Sequence, residues 1–304
     1  MIRLGYACMN TELHKQKIFT GRTMRKATFE KNGLEAAAEI NLLNAKDLLS
    51  IVKWNNKNNI KVFRMSSDIM TWNSEYDLHE LPNYDELKST LEQIGAEAKK
   101  HNQRLSSHPG AYNVLASPNQ KTVDATIDFL NKVAVFMNLM KLPMSPESKI
   151  NIHVGGAYGD KESAMQRFCD NYKKLSPAAQ ARLTVENDDK ASMYSVKDLY
   201  HGIHKKINIP IVFDYHHHKF CTGDMTEEQA LRLASLTWPK SITQCVHYSE
   251  SMRDKENAPD KKPQAHSNFI YDKINDYGLT IDCVIEAKMK DAALLKYRET
   301  YGQE

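Results

Sequence analysis

The chain is poor in the features that mark several protein classes. It has five cysteines in 304 residues, Cys8, Cys169, Cys221, Cys245 and Cys283, and no C-x-x-C. An odd, widely spaced set argues against a disulfide framework or a thiolate zinc site and fits reduced thiols in an intracellular compartment. No apolar run approaches the roughly 18 residues of a membrane-spanning helix. The opening M-I-R-L-G-Y-A is followed by sequence too polar for a secretory signal, and it reads as a strand. Charge of one sign is not in excess. Lys and Arg number 41 against 38 Asp and Glu, a net +3 that does not by itself argue for nucleic acid. Linkers, internal repeats and low-complexity segments are absent too.

What is present is a regular alternation. Short apolar runs at Ile2–Tyr6, Lys61–Met65, Arg104–Ser107, Lys149–His153, Leu183–Glu186, Ile209–Asp214, Gln244–Tyr248 and Leu279–Glu286 predict strands. Several are continuously apolar, as expected of strands covered on both faces. Helical patterns lie between them at Leu34–Lys57, Asn83–His101, Asn119–Met140, Lys161–Lys174, Ser195–Lys205, Thr226–Thr237, Ser267–Tyr277 and Lys288–Tyr297. The clearest carries Val123, Ile127, Leu130, Ala134 and Met137 along one stripe. This alternation predicts a single (β/α)8 TIM barrel over residues 1–304, with its active site at the C-terminal face of the strands.

Two connections are long, Cys8–Gly33 and Ser249–Gln264, and both fall on that face. A structureless connection beyond about 12–15 residues is usually functional or disordered. The first holds Lys15, Lys17, Arg22, Arg25, Lys26 and Lys31 against Glu12 and Glu30. Such an excess suits phosphates, and it equally suits a solvated loop.

Ionisable residues gather where the strands end. S-S-H-P-G carries His108 and N-I-H-V-G-G carries His153. V-E-N-D-D carries Glu186, and F-D-Y-H-H-H carries Asp214, His216, His217 and His218. C-V-H-Y-S carries His247, V-I-E-A-K carries Glu286 and Lys288, and His266 follows the second long loop. One histidine of this kind is most often structural. Six consecutive strands ending this way would bury many charges without a counter-ion, at large cost. Divalent cations remove that cost, since carboxylates and neutral imidazoles are their ligands. The donors exceed what one ion needs, so two or three are expected, with Mn, Zn or Fe favoured over Ca by the mixed N/O set. Metal-assisted hydrolysis or phosphoryl transfer is the chemistry that uses such a cluster. The glycines of H-P-G and H-V-G-G allow a sharp turn or a close approach to a ligand.

Taken in order, L-G-Y, R-M-S-S-D (Arg64–Asp68), S-S-H-P-G, H-V-G-G, V-E-N-D-D, D-Y-H-H, V-H-Y-S and I-E-A-K make the chain resemble the UV damage endonucleases. The resemblance runs along essentially the whole chain. It implies the barrel shared with apurinic endonucleases and xylose-isomerase-like enzymes. It also implies a manganese-dependent trinuclear site, with Zn or Mg as alternatives. The implied reaction on damaged double-stranded DNA is cleavage immediately 5′ to a pyrimidine dimer or related lesion, leaving a 3′-hydroxyl. The implied ligands are His108, His153, Glu186, Asp214, His217, His247, His266 and Glu286, all but His266 also in the catalytic set. Tyr6, Asn10, Tyr112 and Lys288 are the implied DNA and lesion contacts. No membrane or protein partner is implied, and an intracellular monomer is expected.

Three positions leave the pattern. Glu75 stands in T-W-N-S-E where the family often has a histidine. Cys245 stands where it usually has a lysine that can be carboxylated and bridge metals. Ala111-Tyr112 stands where it has Gln-Tyr, a pair that wedges into the duplex. An apurinic endonuclease, a metal-dependent sugar isomerase or epimerase, and a DNA-damage binder without activity remain alternatives.

Overall fold

The computed structural model describes residues 1–302. Eight parallel strands pair in sequence order and close into a barrel: β1 (Ile2–Ala7), β2 (Val62–Met65), β3 (Arg104–Ser107), β4 (Ile150–Ile152), β5 (Leu183–Glu186), β6 (Ile211–Asp214), β7 (Gln244–Tyr248) and β8 (Ile281–Ile285). β8 returns to β1 in register Gly5↔Val284. The helices are α1 (Thr11–His14), α2 (Lys26–Lys57), α3 (Tyr84–Lys100), α4 (Gln120–Leu139), α5 (Lys161–Tyr172) and α6 (Pro177–Gln180). They continue with α7 (Val196–Leu199), which passes through a π turn at Tyr200–His204 into α8 (Lys205–Ile207). The last are α9 (Tyr215–His218), α10 (Glu227–Ser235), α11 (Met252–Lys255) and α12 (Lys290–Tyr301).

Strand periodicity sorts the side chains into two populations. One parity packs outward beneath the helices: Leu4, Tyr6, Phe63, Leu105, Ile152, Val185, Phe213, Val246 and Ile285 join the main core. The α4 stripe meets it through Leu130, Ala134 and Met137, all buried, each worth about 1.5–3 kcal/mol for the larger side chains, with Ile127 packed against them. The other parity fills the barrel. An inner cluster of Val62, Val212, Cys245 and Val284 lies against Trp238. Arg3 and Arg104 share Asp282, with Arg3 Nε 2.6 Å and Arg104 Nη1 2.8 Å from its carboxylate. Gly5 lets two strands meet closely, since a Cβ there would stand 2.1 Å from the Val62 carbonyl oxygen. The interior is therefore packed from below, and only the layer at the C-terminal strand ends is left for chemistry.

Two stretches differ from the sequence reading. The first long connection is partly structured. Asn10 caps α1 through Leu13 N at 2.8 Å, and helix begins at Lys26, kinking at Gly33 where φ is +63°. Its basic excess is partly internal, because Arg22 pairs with Asp47 at 2.7 Å. The helix expected over Ser267–Tyr277 does not form. The buried Glu250 carboxylate accepts the backbone N–H groups of Tyr271 and Asp272 at 2.9 Å each, and the Tyr297 hydroxyl accepts that of Ile274 at 2.9 Å. These tertiary acceptors replace the carbonyls of a helical ladder, so an apolar pattern of helical spacing folds as irregular chain.

Candidate metal centre

Glu186, the last residue of β5, lies at the middle of the barrel mouth and is 1% exposed. Its Oε2 is 3.0 Å from His108 Nε2 and 3.0 Å from His247 Nδ1. Its Oε1 is 3.4 Å from His217 Nδ1 and 3.9 Å from His153 Nε2. Glu286 Oε1 is also 3.0 Å from His247 Nδ1. Two overlapping donor groups result, each with its ligand atoms within 4.8 Å of one another: His108, His153 and Glu186, then Glu186, Asp214, His247 and Glu286. Glu186 belongs to both. Six of the eight expected ligands thus converge. His217 and His266 stand further out, with His266 Nδ1 4.0 Å from Glu286 Oε2.

Local turns aim these side chains. Asp214 caps α9 by accepting His217 N at 2.8 Å, which folds His217 back over the strand end. Asn187 and Asp214 exchange backbone–side-chain bonds of 2.9 and 3.0 Å, tying the ends of β5 and β6 together. In H-V-G-G, Gly155 has φ +99° and Val114 would crowd a Cβ at 2.5 Å, so the turn after His153 requires glycine.

Most of the histidines are anchored through one nitrogen. His108 Nδ1 donates to Pro109 O at 3.1 Å, His217 Nδ1 to Asn187 O at 2.9 Å, and His266 Nδ1 to Glu286 O at 2.9 Å. A carbonyl oxygen only accepts, so each Nδ1 carries a hydrogen, and Nε2 is the nitrogen that offers a lone pair when the ring is neutral. His153 Nδ1 is 3.0 Å from Asp188 Oδ1, an ion-pair approach that is not aligned as a hydrogen bond. His247 is reversed: Nδ1 faces the carboxylates while Nε2 meets Lys149 Nζ at 3.2 Å.

The donor set fits divalent cations. Burial lowers His108 to about 4, so it is neutral near pH 7, and its lone pair then faces the Glu186 carboxylate across 3.0 Å. Two acceptors in that position call for a cation between them. Asp214 Oδ2 and His247 Nδ1 are buried without a hydrogen-bond partner, because the 3.0 Å approaches of Nδ1 are not aligned as hydrogen bonds. Burial raises Asp214 above the usual carboxylate range. Burial acts the same way on Glu186 and Glu286, but His247 and His153 around the first and Arg64 and His247 around the second outweigh it and hold both well below that range. Burial lowers His217, yet Asp214 and Glu186 raise it to about 9.

Several residues at the centre went unassigned in the sequence reading. Arg64, in the R-M-S-S-D motif, pairs with Glu286, and Asn151 Nδ2 donates to Glu186. Asp188 faces His153 at 3.0 Å, and Lys149 bonds His247. Arg64 therefore supplies part of the counter-charge that the sequence reading gave wholly to metal, while burial lowers the Lys149 ammonium. Arg64 lies on the inward parity of β2 as a charge between Phe63 and Met65, and Lys149 has the inward parity directly before β4; a charge at an inward position of a buried strand is the signal that could have found them.

Other expected residues fall elsewhere. Tyr6 and Asn10 are fully buried. Tyr6 has the outward parity of β1, donates to Asn55 Oδ1 at 2.7 Å and accepts Asn10 Nδ2 at 2.9 Å, so both serve the core and a helix cap rather than a lesion contact. Glu75 is exposed, bonded to Ser74, and outside both donor groups. Cys245 lies in the inner cluster, where burial raises its thiol, and it joins neither group. His216 packs edge-on against the His266 ring at 5.7 Å, and His218 against Phe213 at 5.3 Å. Lys288 and Ala111 are exposed, and Tyr112 is 65% exposed. The Tyr112 ring lies over Gly110, where a Cβ would meet it at 2.5 Å, and edge-on to Phe129. A groove of about 980 Å³ opens beside it rather than over the donors, lined by Trp72, Tyr112, Lys121, Phe129 and Asp68.

Residues 2–302 match the model of the UV-endonuclease UvdE family. The chain belongs to this family. It is 37% identical to a UV-damage endonuclease of Schizosaccharomyces pombe, an alignment covering 98% of this chain and 50% of that protein. It is 31% identical to a UV DNA damage endonuclease of Clostridium perfringens, covering 97% of this chain and 69% of that one. The chain thus spans half the length of its S. pombe relative. Among solved structures, the crystal structure of SacUVDE superposes with a TM-score of 0.84 at 29% identity, covering 99% of this chain and 98% of that one. A D-psicose 3-epimerase of Clostridium cellulolyticum H10 shares only the fold, with a TM-score of 0.52 at 12% identity over 84% of this chain and 87% of that one.

Proposed function

We propose that this chain is a divalent-metal-dependent endodeoxyribonuclease. It incises UV-damaged duplex DNA by hydrolysis immediately 5′ to the photoproduct and leaves a 3′-hydroxyl, acting as an intracellular monomer. The observation that carries the reading is Glu186, shared by two donor groups at the barrel mouth. The relatives' own names, UV-damage and UV DNA damage endonuclease, supply the substrate class. His108, His153, Glu186, Asp214, His247 and Glu286 hold two ions, and His217 and His266 offer donors for a third. Mn²⁺ is the ion favoured by the mixed N/O set, with Zn²⁺ and Mg²⁺ as competitors. Such ions, when bound, supply an activated water and neutralise charge building up on an in-line displacement.

The chain's own residues do the rest. Asp188 and the backbone carbonyls of Pro109, Asn187 and Glu286 orient the imidazoles before any substrate arrives, so the donors need no rearrangement. Arg64 fixes the Glu286 carboxylate from below. Exposed Lys288 and the exposed Lys17, Arg25 and Lys31 near β1 meet backbone phosphates, which makes affinity fall with salt. Tyr112 stacks on a base at the lesion, and the groove beside it receives unstacked bases.

The test is nicking of supercoiled plasmid that is UV-irradiated, abasic or intact, using protein stripped with chelator and then given Mn²⁺. Nicking of the irradiated plasmid alone, only with metal, is expected, and ends extendable by a polymerase mark the 3′-hydroxyl. Cleavage confined to abasic plasmid moves the assignment to an apurinic endonuclease. Binding to irradiated DNA without incision at saturating Mn²⁺ leaves only a damage binder.

A further inference from the structure

Lys149 is an unusual residue to find where it is. It comes from the inward parity at the foot of β4, is 0% exposed, and forms no ion pair with a carboxylate among the described residues. Removing a lysine ammonium from water is costly, so a buried lysine without a carboxylate needs another reason to be there. Its one hydrogen-bond partner is His247 Nε2 at 3.2 Å. His247 is itself 0% exposed, and its other nitrogen, Nδ1, faces both Glu186 and Glu286 at 3.0 Å.

An imidazole ring has two nearly equivalent flips about Cβ–Cγ, because the torsion to its sp² ring is broad and roughly two-fold. One flip presents Nδ1 to the carboxylates and Nε2 to Lys149. The other presents Cδ2–H to the carboxylates and Cε1–H to Nζ. Whichever of the paired atoms carries the proton, the Nζ···Nε2 bond exists only in the first flip. His108, His217 and His266 are each held by a carbonyl oxygen at Nδ1, and His153 Nδ1 faces an Asp188 carboxylate oxygen at 3.0 Å. His247 has no oxygen anchor at Nε2, and Lys149 is what stands there.

We propose that Lys149 is a positioning residue: its bond to His247 Nε2 selects the ring flip that directs Nδ1 to the Glu186–Glu286 donor group. The role rests on the metal-centre reading above. Anchors of metal-ligating histidines typically contribute about 10–100-fold to metal affinity. Lys149→Met keeps an unbranched side chain of similar length and removes the bond.

The experiment is calorimetric titration with Mn²⁺ of the chelator-stripped wild type, Lys149→Met, His247→Ala and the double variant. Lys149→Met is expected to bind Mn²⁺ about 10–100-fold more weakly, with KM for irradiated DNA unchanged, and to add nothing further in the His247→Ala background. Wild-type affinity in Lys149→Met overturns the proposal. So does a loss of equal size with and without His247, since a general packing defect would act in both. If Lys149→Met does not fold, ¹⁵N-histidine spectra of the Zn²⁺-loaded wild type decide. Metal-bound Nδ1 of His247 is expected, and metal-bound Nε2 overturns the role. A wild type that binds no divalent ion removes the functional reading and this role together. A wild type that binds normally beside an unaffected Lys149→Met removes this role alone.

Discussion

Glu186→Gln is the substitution that bears most directly on the centre. The replacement is isosteric and keeps the fold of β5, yet it removes the one charge common to both donor groups. The carboxylate touches His108 and His247 at 3.0 Å and is 1% exposed, so solvent does not screen its loss. A charge-assisted contact is worth about 1.5–3 kcal/mol. Losing one such contact toward each of two ions weakens binding by about 3–6 kcal/mol in all, or about 10²–10⁴-fold, since 1.4 kcal/mol is a factor of ten. In the stripped protein His247 and His153 hold this carboxylate well below its usual range, so the folded state favours its charge and the metal-free variant melts lower than the wild type. The assay pairs Mn²⁺ calorimetry with plasmid nicking. Metal affinity within threefold of wild type, with incision retained, would refute the bridging role of Glu186 and with it the two-group centre.

Other outcomes follow from particular contacts. In the stripped protein His217 is raised from 6.5 to about 9, so the stability it contributes is present in full below pH 6.5 and is lost as pH rises through 9. That loss is roughly 3 kcal/mol, less whatever solvent screening removes at a side chain 15% exposed. Thermal melts between pH 6 and 9.5 should show it in the wild type and not in His217→Gln, and identical profiles would remove the coupling to Asp214 and Glu186. Tyr112→Ala should reduce discrimination between irradiated and intact DNA by about 5- to 150-fold, the equivalent of about 1–3 kcal/mol of stacking, with Mn²⁺ affinity unchanged. Competition binding measures this, and unaltered discrimination would take Tyr112 out of the lesion contact. Glu75→Ala should leave Mn²⁺ affinity at its wild-type value, because the residue is exposed and bonded only to Ser74. A tenfold loss would return it to the centre.

The barrel was legible because two periodicities alternate along the chain, and six of the eight expected ligands meet because each ends a strand of a closed parallel sheet. Where local pattern and tertiary contact disagreed, contact won. Ser267–Tyr277 has helical spacing, but Glu250 and Tyr297 take its backbone N–H groups. Tyr6 and Asn10 sit in a motif of the resemblance, but the pleat of β1 turns Tyr6 under α2, and Asn10 follows as its partner and cap.

By itself, then, the sequence determined the kind of residue at each strand end, and with it the fold class and a cluster of nitrogen and oxygen donors. Only the tertiary structure decided which donors share Glu186, which nitrogen each imidazole presents, and that Arg64 and Lys149 stand beneath them. The reason is that strand parity is a local property, readable from spacing two. Anchoring depends on carbonyls, carboxylates and cations brought in from other strands, as with Lys149 and His247, which are 98 residues apart in the chain and 3.2 Å apart in the barrel.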